Sequence, residues 1–121
     1  MASTTIDLFV FGNRHGPRPP RLGLDVLPDS QGWLPADTSS MPQGASSFAD
    51  PVRSGLTGHY HRLPAGTELP TGLAVTADGC DVVPESPLPE THHTIHLESP
   101  MTAEQFLAAF LGLPWEYGGR L

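Results

Sequence analysis

The hydrophobic and polar pattern is sharpest in Glu90-Thr91-His92-His93-Thr94-Ile95-His96-Leu97-Glu98. Side chains alternate across a strand, so His93, Ile95 and Leu97 share one face and His92, Thr94 and His96 the other. The pattern predicts a strand with one face on a core and a polar histidine face free for a cleft. Directly after it, Phe106, Leu107, Phe110 and Leu111 form a single apolar stripe at helical spacing. Thr102 with Gln105 matches a capping box, and Met101 with Phe106 a hydrophobic staple. Gly112 is placed for a left-handed cap and Pro114 forbids continuation. A helix is therefore predicted over residues 103–111, its stripe lying on the Ile95 and Leu97 face.

Upstream, residues 6–11 read as a strand buried largely on both sides, with Ile6, Leu8 and Val10 opposed to Asp7, Phe9 and Phe11. Gly12 to Pro20 follows, whose prolines exclude helix and inner strand and hold Arg18 stiffly. Residues 22–50 sustain no period. With Trp33 and Phe48 in it, so long a segment reads as an ordered, functional loop. Residues 58–63 and 73–77 are strand candidates. Asp78-Gly79 predicts a hairpin into a further strand through Cys80, Val82 and Val83. The class is α+β, rich in short strands.

The 121 residues suit one domain spanning 1–121, and 14 Pro with 13 Gly favour turns and ordered loops over a helical bundle. A net charge of −7 argues against nucleic acid as a partner. There is no Lys, which removes Schiff-base lysine chemistry and the phosphate-binding P-loop. Arg14, His15, Arg18 and Arg21 form the one basic cluster, suited to a small phosphate-bearing ligand or to a solvated arm. Cys80 is alone, so no disulfide framework is expected. No signal peptide and no stretch of roughly 20 apolar residues is found, which points to a soluble protein folding in a cytoplasm, without membrane association. Export by a dedicated secretion machine leaves no mark at this level.

Three groups of residues carry candidate chemistry. His59 and His61 form H-x-H on one strand face, and with His92 offer three imidazoles for zinc or another transition metal; the plainer reading is histidines bonded to backbone at a strand edge, with no metal. Ser46 and Ser47 sit in no nucleophile elbow, because Gly44-Ala45-Ser46-Ser47-Phe48 lacks the second glycine. Arg18 on a stiff loop, Ser46-x-Phe48 and His92 together suit an anionic, aromatic-bearing cofactor: arginine matches phosphate, an aromatic stacks on a planar ring, and a hydroxyl orients a carboxamide or ribose.

The run Leu63-Pro64-Ala65-Gly66-Thr67-Glu68-Leu69-Pro70-Thr71-Gly72-Leu73, then Thr91-His92-His93-Thr94-Ile95, then Ser99-Pro100-Met101 entering the helix, resembles the type VI secretion exported effector 2 family of bacterial toxins. Gly44 to Phe48 and Arg18-Pro19-Pro20 are similar to that family's earlier motifs. The resemblance implies an ADP-ribosyltransferase-like fold, a split pair of small mixed sheets with an NAD cleft between them. It also implies a cytotoxic effector or toxin acting inside bacterial cells and neutralised by a cognate immunity protein or antitoxin. The family's functional arginine falls on Arg18, its Thr-Ser pair on Ala45 and Ser46, and its histidine on His92; Arg18, Ser46, Phe48 and His92 then hold NAD.

Two departures accompany the resemblance. Ala45 stands where the family has threonine, and no acid clearly occupies the place of the glutamate that many ADP-ribosyltransferases use. Glu90 and Glu98 are the candidate substitutes. Transfer of ADP-ribose to an acceptor is thus one expectation. The alternatives are a non-enzymatic binding protein on the same fold and a metal-dependent protein using His59, His61 and His92.

Overall fold

The computed structural model describes residues 2–121. Among these residues nine strands and one α-helix follow in the order β1 Leu8–Asn13, β2 Gly16–Pro17, β3 Trp33–Leu34, β4 Ala45–Phe48, β5 His59–Leu63, β6 Leu73–Ala77, β7 His92–Leu97, β8 Met101–Thr102, α1 Ala103–Leu111 and β9 Glu116–Arg120. Seven strands form one antiparallel sheet in the order β6-β7-β4-β1-β5-β9, with β2 folded back on β1. β3 and β8 make a separate two-stranded ribbon.

Along the path β6-β7-β4-β1-β5-β9 the ladders are long, with one exception. β6 and β7 are in register from Leu73↔Leu97 to Ala77↔His93, β4 and β7 from Ala45↔Ile95 to Phe48↔His92, and β1 and β5 from Leu8↔Leu63 to Gly12↔His59. Between β1 and β4 the register holds at Phe9↔Phe48 alone. The sheet is therefore split into two plates, β6-β7-β4 and β2-β1-β5-β9, joined by a short seam. This is the expected α+β architecture with a split sheet.

α1 covers one face of the sheet. Phe106 and Phe110 are fully buried among Leu8, Leu63, Leu73, Ile95 and Leu97. The capping box forms as expected: Thr102 Oγ1 accepts from the Gln105 N–H and the Gln105 side chain accepts from the Thr102 N–H. Two details differ. Ala103 rather than Leu111 completes the buried stripe, and Leu111 is 51% exposed. Gly112 leaves the helix right-handed, at φ −78°, with its N–H directed to Ala108 and Phe110 oxygens. Trp115 fastens the end instead, its indole N–H donating to the Phe110 carbonyl at 2.8 Å.

Four other expectations are revised. The first strand begins at Leu8, because Asp7 turns outward to bond Arg62 and the Ala65 N–H, and Ile6 is exposed. Asp78-Gly79 does not lead into a strand at residues 80–83: β6 pairs with β7, and residues 79–91 are a long excursion between them. Part of the 22–50 loop is β4, which lies in the middle of the sheet. The face of β7 carrying His92, Thr94 and His96 is not open, for each is 3–4% exposed. With β4 on one side and β6 on the other, β7 is an inner strand that the 79–91 excursion and Phe48 cover.

β9 was not foreseen. It holds the outer edge of β5, and Tyr60 lies across its glycines: a Cβ on Gly118 would stand 2.7 Å from the Tyr60 ring, and Gly119 has φ +146°. Only glycine fits both the contact and the backbone there.

Candidate functional site

The seam between β1 and β4 opens into a hollow. Val10, Phe11, Ala45 and Ser46 form its floor, and Arg18, Pro19, Pro20, Arg21, Asp25 and Leu56 its rim. Arg18 is placed there because its N–H donates to the Phe11 carbonyl at 3.0 Å, immediately after the β2 turn. That turn is tied by Asn13 Oδ1, which accepts from the N–H groups of His15 and Gly16. The hollow measures about 50 Å³ and joins a larger one of about 350 Å³ through shared walls at Phe11, Arg18, Pro19 and Leu56. The larger volume is of the size that small-molecule ligands occupy. A hollow of about 430 Å³ beside Trp33 carries no basic residue in its lining and offers nothing to an anion.

Ion pairing divides the arginines. Arg21 is bound to Asp25, Arg53 to Glu90 and Asp81, and Arg62 to Asp7 and Glu116. Arg14, Arg18 and Arg120 make no ion pair among the described residues, and of these three Arg18 is the one that lines the hollow, near enough to Asp25 to lower its pKa through space. Asp25 is the acid in the rim. Burial raises its pKa, but the side-chain and backbone hydrogen bonds from Arg21 outweigh that and hold the carboxyl below its ordinary value. It is therefore ionised and occupied.

His92 stands on the other plate. Register places Ser46 opposite Thr94 and Phe48 opposite His92, so Ser46 and His92 are diagonal neighbours on one face. Phe48 presents an edge contact to His92 at 5.3 Å and another to Phe11 at 6.3 Å. Tyr60 meets Phe11 at 5.8 Å, so a row of rings from Tyr60 to His92 crosses the seam. The structure thus joins Arg18 and Ser46 in one hollow and connects them to His92 through Phe11 and Phe48. His92 itself lines neither hollow.

Sequence reasoning missed Asp78, read there as turn material. Its carboxylate is 1% exposed and accepts from His92 Nδ1 at 2.6 Å and from the Thr94 hydroxyl. The residues meet across 14 positions of chain, and no local pattern signals that pairing. The two acids offered as substitutes for a catalytic glutamate lie elsewhere. Glu90 is bound to Arg53, and Glu98 is exposed beside the β6–β7 edge.

The H-x-H pair is tied within the protein. His61 Nε2 bonds the Asn13 carbonyl at 2.7 Å and His59 Nδ1 bonds the Tyr117 hydroxyl at 2.8 Å. Burial, then Arg120, Arg14 and His61, lower the His59 pKa from its ordinary value. Among the described residues no three His, Cys, Asp or Glu side chains converge as a metal cage. No described helix is long and apolar enough to cross a membrane.

Comparison with known proteins gives a family match. The family model for the Tse2 ADP-ribosyltransferase toxin matches residues 3–113. Searches of curated proteins and of solved structures found no match.

Proposed function

The chain belongs to the Tse2 ADP-ribosyltransferase toxin family, and on that premise we propose that it takes NAD as substrate at the β1–β4 seam and transfers ADP-ribose to an acceptor in the cytoplasm of a bacterial cell. The observation that carries the reading is the placement of Arg18, a cation without a carboxylate partner, across a hollow from Ser46.

The residue chemistry follows the charge of the substrate. Arg18 holds the pyrophosphate through paired N–H donors, the geometry for which a guanidinium is suited. Ser46 orients the nicotinamide side with its hydroxyl, and His92 bonds the ribose. Phe48 packs under the site. Cleavage of the nicotinamide bond gathers positive charge on the ribose, so positioning and fixed dipoles supply most of the acceleration. The family further supports a cognate immunity protein as partner, with the whole chain working as one unit.

Arg18→Ala and Ser46→Ala should each lower nicotinamide release from NAD tenfold to a thousandfold, the effect of losing one polar anchor of a charged transition state. Induced expression should arrest bacterial growth in the wild type and spare cells carrying either variant at equal abundance. Absence of nicotinamide release by the wild-type protein with bacterial lysate as acceptor source would overturn the reading. It would favour the second one, a protein that binds NAD without turnover, which draws support from the engagement of Asp25 by Arg21 within the rim.

A further inference from the structure

We infer that Asp78 is the positioning residue of the site: it fixes the tautomer and plane of His92 so that Nε2 faces outward as a hydrogen-bond acceptor. This rests on the reading of His92 as a ribose-binding group.

The carboxylate is among the most buried polar groups of the protein, at 1% exposure, and its side chain bonds no arginine. Such a group is expensive to bury and is retained where each oxygen is satisfied. One oxygen accepts from His92 and the other from Thr94. A carboxylate only accepts, so His92 Nδ1 carries the proton. With the ring neutral, the lone pair is then at Nε2.

That nitrogen is available. Among the described residues Nε2 has no hydrogen-bond partner within the protein, yet no side-chain nitrogen or oxygen shut off from solvent lacks one. Nε2 therefore retains a sliver of surface, in keeping with the 4% exposure of His92. Phe48 stands edge-on to the ring at 5.3 Å and restricts its tilt.

The backbone is built to hold Asp78 in place. The N–H groups of Asp78 and Gly79 both donate to the His92 carbonyl, and the Asp78 carbonyl accepts from the Ser86 hydroxyl at 2.6 Å. A side chain at position 79 would collide with the Pro89 and Glu90 carbonyls, so the Asp-Gly pair marks a close approach of chains rather than a tight hairpin. Control of a histidine tautomer by a buried acid is a general device of sites in which one ring nitrogen must accept.

The experiment is a long-range proton–nitrogen correlation spectrum of the His side chains, with His92 assigned by its loss in His92→Gln, beside NAD kinetics of the same proteins. The wild type should show the Nδ1–H tautomer at His92. Asp78→Asn places an amide where the carboxylate was, and should move His92 to the Nε2–H form. Its kcat for nicotinamide release should fall on the order of a hundredfold with KM for NAD little changed. Thr94→Val removes the other partner of Asp78 and should lower Tm while leaving the tautomer alone, which separates positioning from mere stability. An Nε2–H tautomer in the wild type, or Asp78→Asn with an unaltered tautomer or unaltered kcat, would overturn the inference. Should Asp78→Asn fail to fold, the wild-type spectrum decides. If the wild type releases no nicotinamide, the proposed reaction falls while the spectra still judge Asp78 on their own.

Discussion

Replacing Phe48 by leucine separates packing from ligand stacking at the seam. Phe48 is 4% exposed and supplies the one register pair between β1 and β4. Its ring makes edge contacts with Phe11 on one plate and His92 on the other. Each aromatic pair contributes about 0.5–1.5 kcal/mol beyond area burial. Leucine keeps most of the apolar volume, so the loss should be dominated by these two contacts and come to about 2 kcal/mol. For a domain of this size that corresponds to a Tm lower by roughly 8 °C. Thermal unfolding followed by circular dichroism measures the shift, and KM for NAD measures the site. Packing alone predicts the drop in Tm with a KM raised only modestly below the transition. An unchanged Tm with a large rise in KM would refute the reasoning and make Phe48 a ring that stacks on the substrate.

Two further outcomes follow from the structure. Thr102→Ala removes the hydroxyl that accepts from the Gln105 N–H, while the backbone N–H of residue 102 keeps its bond to the Gln105 side chain, and should cost about 1 kcal/mol, read from the midpoint of urea unfolding. The folded-state pKa of His59 is depressed, so its contribution to stability is present above the unfolded pKa and lost as pH falls through the folded value. His59→Gln should flatten the dependence of the urea midpoint on pH on that acid side of neutrality; an unchanged slope would show that burial, Arg120 and Arg14 together exert no such pressure on the ring.

How far the sequence announced this structure depends on where each residue's partners lie. β7 and α1 were legible because their neighbours are themselves: alternation along the strand, and a stripe with a capping box on the helix. β4 was not, since Ala45-Ser46-Ser47-Phe48 has no apolar period, and its strand state comes from pairing with β7. β9 was hidden for the same reason, as Gly118 and Gly119 weaken any local strand signal while Tyr60 supplies the surface they require. In the site, Arg18, Ser46 and His92 could be listed from chemistry and resemblance, but the expectation of an open histidine face fails. Its burial follows from β6 and β4 flanking β7, a fact of topology. Asp78 was invisible as a partner of His92 because an Asp-Gly pair carries so strong a turn signal that its side chain was left out of account.

The short β1–β4 seam has a mechanical meaning. A sheet resists bending and shear through its ladders, and here every ladder within the two plates holds more register pairs than the one between them. Deformation will therefore concentrate at a single soft joint, bridged by the rings of Phe11 and Phe48 and with Arg18 at its lip. Were the plates to rock about that joint, each would keep its own register, like two covers of a book on a narrow spine. A joint so placed would let a small fold close on a long, jointed molecule without unfolding any strand.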